Sequence, residues 1–132
     1  MLSLLVALSV ASTPLVEKSF CAMPLLLGRT VAVRRSPEFD RAAQAFDRAG
    51  VDWDQKRYLA AAKGFLDASA RFAAAGEDAN ARYAWKNAAY AFEAAKKVDE
   101  GKRAFEAAAV KDPTHAAELR EAGAALDAKH GC

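Results

Sequence analysis

Few side chains here have the chemistry of a catalytic or metal site. The 132 residues include two His (His115, His130) and two Cys (Cys21, Cys132). His115 follows Asp112-Pro113-Thr114, at the start of an expected helix, where a solvated first-turn side chain is expected. His130-Gly131-Cys132 offers an imidazole and a thiol to a soft metal, but it lies beyond the last expected helix. A Cys nucleophile needs a rigid element to hold it against its base, and neither Cys lies on one. Two Cys are too few for a four-cysteine zinc site, an iron–sulfur site or a disulfide-dense scaffold. No phosphate-binding, dinucleotide, zinc-protease, dithiol or serine-elbow motif is present (GxxxxGK, GxGxxG, HExxH, CxxC, GxSxG). Asp52 and Asp54 are two apart, so a helix turns them to different faces. A non-enzymatic protein without metal or cofactor is expected.

The charged residues point the same way. Lys plus Arg is 19 and Asp plus Glu is 17, a net charge of +2. That is too balanced for a protein that coats nucleic acid. Lys96-Lys97 and Lys102-Arg103 could meet an acidic surface, but Asp99 and Glu100 lie between them. A mixed, solvated turn is the favoured reading.

These residues must be positioned by helices. Hydrophobic residues at 53% exclude wholesale disorder. Ala supplies 34 residues, 30 of them after Arg35, and Gly plus Pro only 11. Three regions are expected: a signal peptide over 1–13, a linker or irregular arm over 14–35, and a helical domain over 36–132. The leader Met1-Leu-Ser-Leu-Leu-Val-Ala-Leu-Ser-Val10 is followed by small residues and Pro14. It is too short to cross a bilayer, which needs about 20 residues. It fits the apolar core of a secretory signal, although no Lys or Arg precedes it. An apolar helix packed on the domain is the alternative. Export to a periplasm or the exterior is expected if the leader is cleaved, and a cytoplasmic location otherwise. In the exported form Cys21 and Cys132 could pair. Pro24, Gly28 and Arg29 break the second apolar stretch, so no integral membrane span is expected there.

Helical punctuation begins at Ser36-Pro37-Glu38, an N-cap, a Pro at the first position and an acid in the first turn. Phe39, Ala42, Ala43, Phe46, Ala49, Gly50 and Trp53 recur at spacings of three and four. They predict a first helix over 37–54. A second helix carries Tyr58, Ala61, Ala62, Phe65, Ala68, Ser69 and Phe72, and stops at Gly76. Asp78 or Asn80 is the expected cap of a third helix, with Ala84, Ala88 and Phe92 on its face. Asp99 is the expected cap of a fourth, with Gly101, Phe105 and Ala108. A fifth is expected over about 114–129 through Leu119 and Leu126. Loops this short make sequential helices antiparallel neighbours.

The helices repeat. Phe65 and Phe105 are 40 apart, as are Ala68 and Ala108, while Phe46 and Trp85 are 39 apart. On these residues the chain resembles the tetratricopeptide repeat. With Arg82 as the first residue of a repeat, Trp85, Phe92, Phe105, Ala108 and Pro113 fall on its consensus Trp, aromatic, aromatic, Ala and Pro. Ala89 and Gly101 depart from consensus but remain small. The pitch is longer than the family's 34 or so residues, with the extra length expected in 73–80. The resemblance implies an all-α fold, antiparallel helical hairpins stacked as a short solenoid with a C-terminal capping helix. It also implies a concave groove lined by the first helix of each hairpin. Its groove residues would be Tyr83, Lys86, Asn87, Tyr90 and Glu93, with Gln44, Asp47, Val51 and Asp54 in the first hairpin. In the fifth helix they would be Ala117, Arg120 and Ala124. The carboxylate clamp of chaperone-binding members is not implied. Asp47, Val51, Ala117 and Glu121 stand where it needs Lys, Asn and two basic residues.

The expected function is therefore a scaffold or adaptor that binds a peptide or protein partner. The alternative is self-assembly as a homodimer, because two hairpins are few for a solenoid. Mass spectrometry of the native protein tests the leader. An N-terminus near Ser12 or Thr13 is expected, and an intact Met1 in most molecules would refute export.

Overall fold

The structure, a computed structural model, describes residues 36–126. Among these residues there are five α-helices and no strand: α1 (Pro37–Asp54), α2 (Tyr58–Ala74), α3 (Asp78–Ala94), α4 (Val98–Lys111) and α5 (Ala116–Ala124). A 3-10 turn, Pro113–His115, precedes α5. The expected leader, the 14–35 arm, His130 and both Cys lie outside the described residues.

The helices form stacked antiparallel hairpins, the expected all-α fold. Ser36 caps α1, its Oγ accepting from Phe39 N at 3.0 Å, and Pro37 opens the first turn. Gly50 does not end α1 early but is buried inside it. The next three helices start differently. Neither Asp78, Asn80 nor Asp99 caps a helix; the N-cap positions are Arg57, Glu77 and Lys97, with no side-chain cap. Each of the three connections is a three-residue turn with a left-handed residue in the middle: Lys56 (φ 63), Gly76 (φ 79) and Lys96 (φ 59). Each closes with the same long backbone bond, Arg57 N to Asp52 O, Glu77 N to Phe72 O and Lys97 N to Phe92 O, at 2.8 to 3.0 Å. This Schellman closure satisfies orphan carbonyls and sets the next residue into helix. Asp78, Asn80 and Asp99 therefore lie inside the first turns of their helices and not at the position before them.

The turns fall every 20 residues, so each hairpin takes 40. The extra pitch is therefore not in 73–80, where the turn is as short as the others. It is spread along helices of 17 and 18 residues.

The core runs along the stack. Phe39 meets Phe72 edge-on at 5.6 Å, and Phe46 tilts on Phe65 at 5.1 Å, both across α1 and α2. A Cβ on Gly64 of α2 would lie 2.9 Å from Ala49 Cβ of α1, so these helices meet backbone to backbone. On α3, Ala81, Ala84, Ala88 and Ala91 are fully buried. Ser69, the polar member of the buried face of α2, donates to Leu66 O at 2.7 Å. Helices α3 and α4 stand further apart, and Phe92 and Phe105 fill the space with ring centroids 6.3 Å apart.

Helix α5 covers the apolar end of this second hairpin. A Cβ on Gly123 would lie 2.9 Å from Phe105 Cβ. Leu119 and Leu126 are buried. Because α3 approaches from one side, through Phe92, and α5 from another, through Gly123, Phe105 has no solvent exposure. Phe105→Ala is expected to cost about 3–5 kcal/mol, as for other large-to-small core changes. At about 4–8 °C per kcal/mol in a domain of this size, thermal denaturation should show the loss plainly. A shift of about one degree would place Phe105 outside the core.

Candidate functional site

Helix α3 is the middle of the stack and presents two different faces beside its core stripe. Tyr83 packs on α1, its ring centroid 6.0 Å from that of Phe46. Asn87 is 2% exposed, and its Nδ2 has no hydrogen-bond partner among the described residues. A buried N–H left unpaired costs about 1–3 kcal/mol. Neither residue opens onto the groove.

The other face does. Arg82, Lys86, Tyr90 and Glu93 form one wall of a groove of about 530 Å³ between α3 and α5. Glu118, Glu121, Ala122 and Leu126 contribute to the opposite wall. Lys86 is exposed, Tyr90 is half-buried, and Glu93 is buried at one end. Arg82 bridges the rim to Glu118 at 3.2 Å. The groove thus has two cations and the buried Glu93 on its α3 side and two carboxylates on its α5 side.

Of the five residues expected on the groove, Lys86, Tyr90 and Glu93 are brought together; Asn87 is buried in the interior, and the half-buried Tyr83 faces α1. Gln44, Asp47, Val51 and Asp54 are exposed on α1. In α5, Ala117, Arg120 and Ala124 do not line the groove. Arg120 instead turns to α4 and binds Glu106 through two hydrogen bonds of 2.9 Å. This hydrogen bonding to Arg120 holds the Glu106 carboxyl below its ordinary range. The groove residues that the sequence reading missed are Arg82 and the stripe Glu118, Glu121, Ala122 and Leu126. Their spacing of three and four was the available signal.

His115 is the largest departure from expectation. It is buried, not solvated, with 6% exposure. Nδ1 faces Asp112 Oδ2 at 2.8 Å, and Nε2 faces Asp78 Oδ1 at 3.2 Å. The ring stands edge-on to Trp85 at 5.7 Å. Each ring nitrogen thus faces a carboxylate, one from the turn before α5 and one from the start of α3. What the arrangement does is mechanical. It ties the start of α3 to the turn that launches α5. A second concavity, of about 590 Å³, lies between α2 and α4 next to this clasp, with Trp85 and Leu119 at its base.

Among the described residues no three His, Cys, Asp or Glu are grouped to hold a metal ion, and no helix is long and apolar enough to cross a membrane. Compared with protein families, curated proteins and solved structures, the chain matches none.

Burial pushes the Tyr83 phenol above its ordinary value of 10.0, with the neighbouring Tyr90 adding to the shift. The folded state thus holds the Tyr83 proton more tightly than the unfolded chain does. Its contribution to stability is complete below pH 10 and is lost as pH rises through the folded value. Melting temperatures measured across this alkaline range should fall, and less steeply for Tyr83→Phe. Identical pH profiles for the two proteins would show that Tyr83 is not the titrating group.

Proposed function

We propose that this chain is a non-enzymatic protein–protein interaction module that holds a peptide or protein partner in the groove between α3 and α5. The observation that carries this reading is the groove's composition. An apolar strip of Ala89, Ala122 and Leu126 runs beside an exposed Lys86 and a half-buried Tyr90, opposite Glu121. A peptide's apolar side chains fit the strip. Its backbone and charges meet Tyr90, Lys86 and Glu121. The stacked hairpins and their 40-residue spacing support the tetratricopeptide-like reading, in which such a groove holds a segment of another protein.

Affinity capture from the chain's own cell extract supplies the partner. Tyr90 and Lys86 lie one turn apart and act as one patch, through packing and a charge-assisted hydrogen bond. The double change Tyr90→Ala with Lys86→Ala is expected to weaken binding of the captured partner at least tenfold, about 1.4 kcal/mol. Circular dichroism should show the helices retained. Lys102→Ala with Arg103→Ala, on the exposed face of α4, should leave binding nearly unchanged. A silent groove pair together with a damaging α4 pair would move the interaction to another surface and end the groove reading.

A further inference from the structure

The α1–α2 and α3–α4 turns lie side by side at one end of the stack, because a 40-residue hairpin returns the chain to the same level. Between them is a depression of about 500 Å³. Lys56 and Arg57 from one turn and Lys96 and Lys97 from the other line it, with Tyr58 and Leu59 among the remaining lining residues and no carboxylate. Arg57 is held by Asp52 at 2.8 Å. Lys56, Lys96 and Lys97 make no ion pair among the described residues. Glu100, which separates the two basic pairs in the sequence, is turned to Lys63 at 3.2 Å. Asp54 and Asp99 are exposed near the same end but do not line the depression.

The backbone adds a second observation. Lys56 and Lys96 sit in the left-handed region, at φ 63 and φ 59, and the equivalent turn at the opposite end has Gly76. Gly or Asn suits that conformation better than Lys. Lysine stands at both strained positions that face the depression, and glycine at the one that does not. The first turn of α2 also opens here with neither a side-chain cap nor an acid, which adds positive potential, whereas that of α4 carries Asp99 and Glu100.

We infer that this end of the stack is a docking surface for an acidic segment of a partner protein, with an apolar residue among its acids. The acids meet the lysines, and the apolar side chain rests on the half-buried Leu59. Nucleic acid fits less well, because Tyr58 is already edge-on to Trp53 at 5.0 Å and offers no open ring for a base. A membrane surface fits less well, because the cations rim a concavity and are few. The surface shares no lining residue with the α3–α5 groove, so either can fail without the other.

The test uses the full chain and a short fluorescein-labelled peptide of glutamates with two central leucines, followed by fluorescence anisotropy. Binding at low salt that weakens as salt is added is expected. Lys56→Asn with Lys96→Asn, which keeps a side chain suited to the turn, should weaken binding at least about tenfold. Lys56→Gly with Lys96→Gly should do the same while melting at or above the wild-type temperature. Lys102→Ala with Arg103→Ala removes equal charge and should bind as wild type. Any one of four results overturns the inference. They are no binding by the wild-type chain, unchanged binding by the Asn variant, an equal loss in the α4 control, or a lower melting temperature for the Gly variant. Tighter binding of phosphatidylserine vesicles or of an oligothymidine than of the peptide also overturns it.

Discussion

Everything in this structure depends on one turn made three times. A helix ends, a single left-handed residue follows, and the amide after it reaches back to a carbonyl five residues earlier. The closure consumes the orphan carbonyls of one helix and aims the next back along it. Because it recurs every 20 residues, α1, α2 and α3 have nearly equal lengths, and their ends are level. Level ends bring residues 40 apart to the same height. A stack built from unequal turns would align neither the buried aromatics nor the basic turns.

Side-chain volume decides how tightly the stack closes. Where Gly64 meets Ala49, and where α3 shows a stripe of buried Ala, the helices come close, and rings such as Phe46 and Phe65 pack beside the small residues. Where Phe92 faces Phe105, the helices are held apart. Gly101 keeps that wider layer compact, since a Cβ there would lie 2.8 Å from both Phe92 and Leu126. Ala lowers the apolar area buried per residue, so this core leans on its aromatics. That is why a single ring such as Phe105 matters so much to stability.

The helices were legible in the sequence because their signals are local. Ser36-Pro37, the spacing from Phe39 to Trp53, and Gly76 each specify their own neighbourhood, and α1 spans the expected 37–54. The caps of α3 and α4 were misread for an equally physical reason. Asp78 and Asp99 are good capping residues, but the closure just before them starts each helix early enough to place both inside its first turn. Lysine gives no sequence signal for a left-handed residue. His115 was misread because its partner Asp78 is 37 residues away, and only the stack brings them together. The groove was half legible. One helix face places Lys86, Tyr90 and Glu93, but the wall opposite them depends on how α5 is rotated, which the spacing within α3 does not determine.

That rotation is itself held by polar contacts at the edges of α5. His115 anchors its entry to Asp78, Arg82 ties Glu118 to α3, and Arg120 ties its other side to Glu106 of α4. The two Arg pairs are exposed, and exposed pairs contribute little stability individually. Their effect is geometric. They act on opposite sides of a nine-residue helix whose apolar anchors are few, Leu119 and Leu126 chief among them. The groove's width follows from the core beneath it, where a Cβ on Gly123 would lie 2.9 Å from Phe105 and Leu119 and Leu126 are buried, and the ion pairs line the edges of α5.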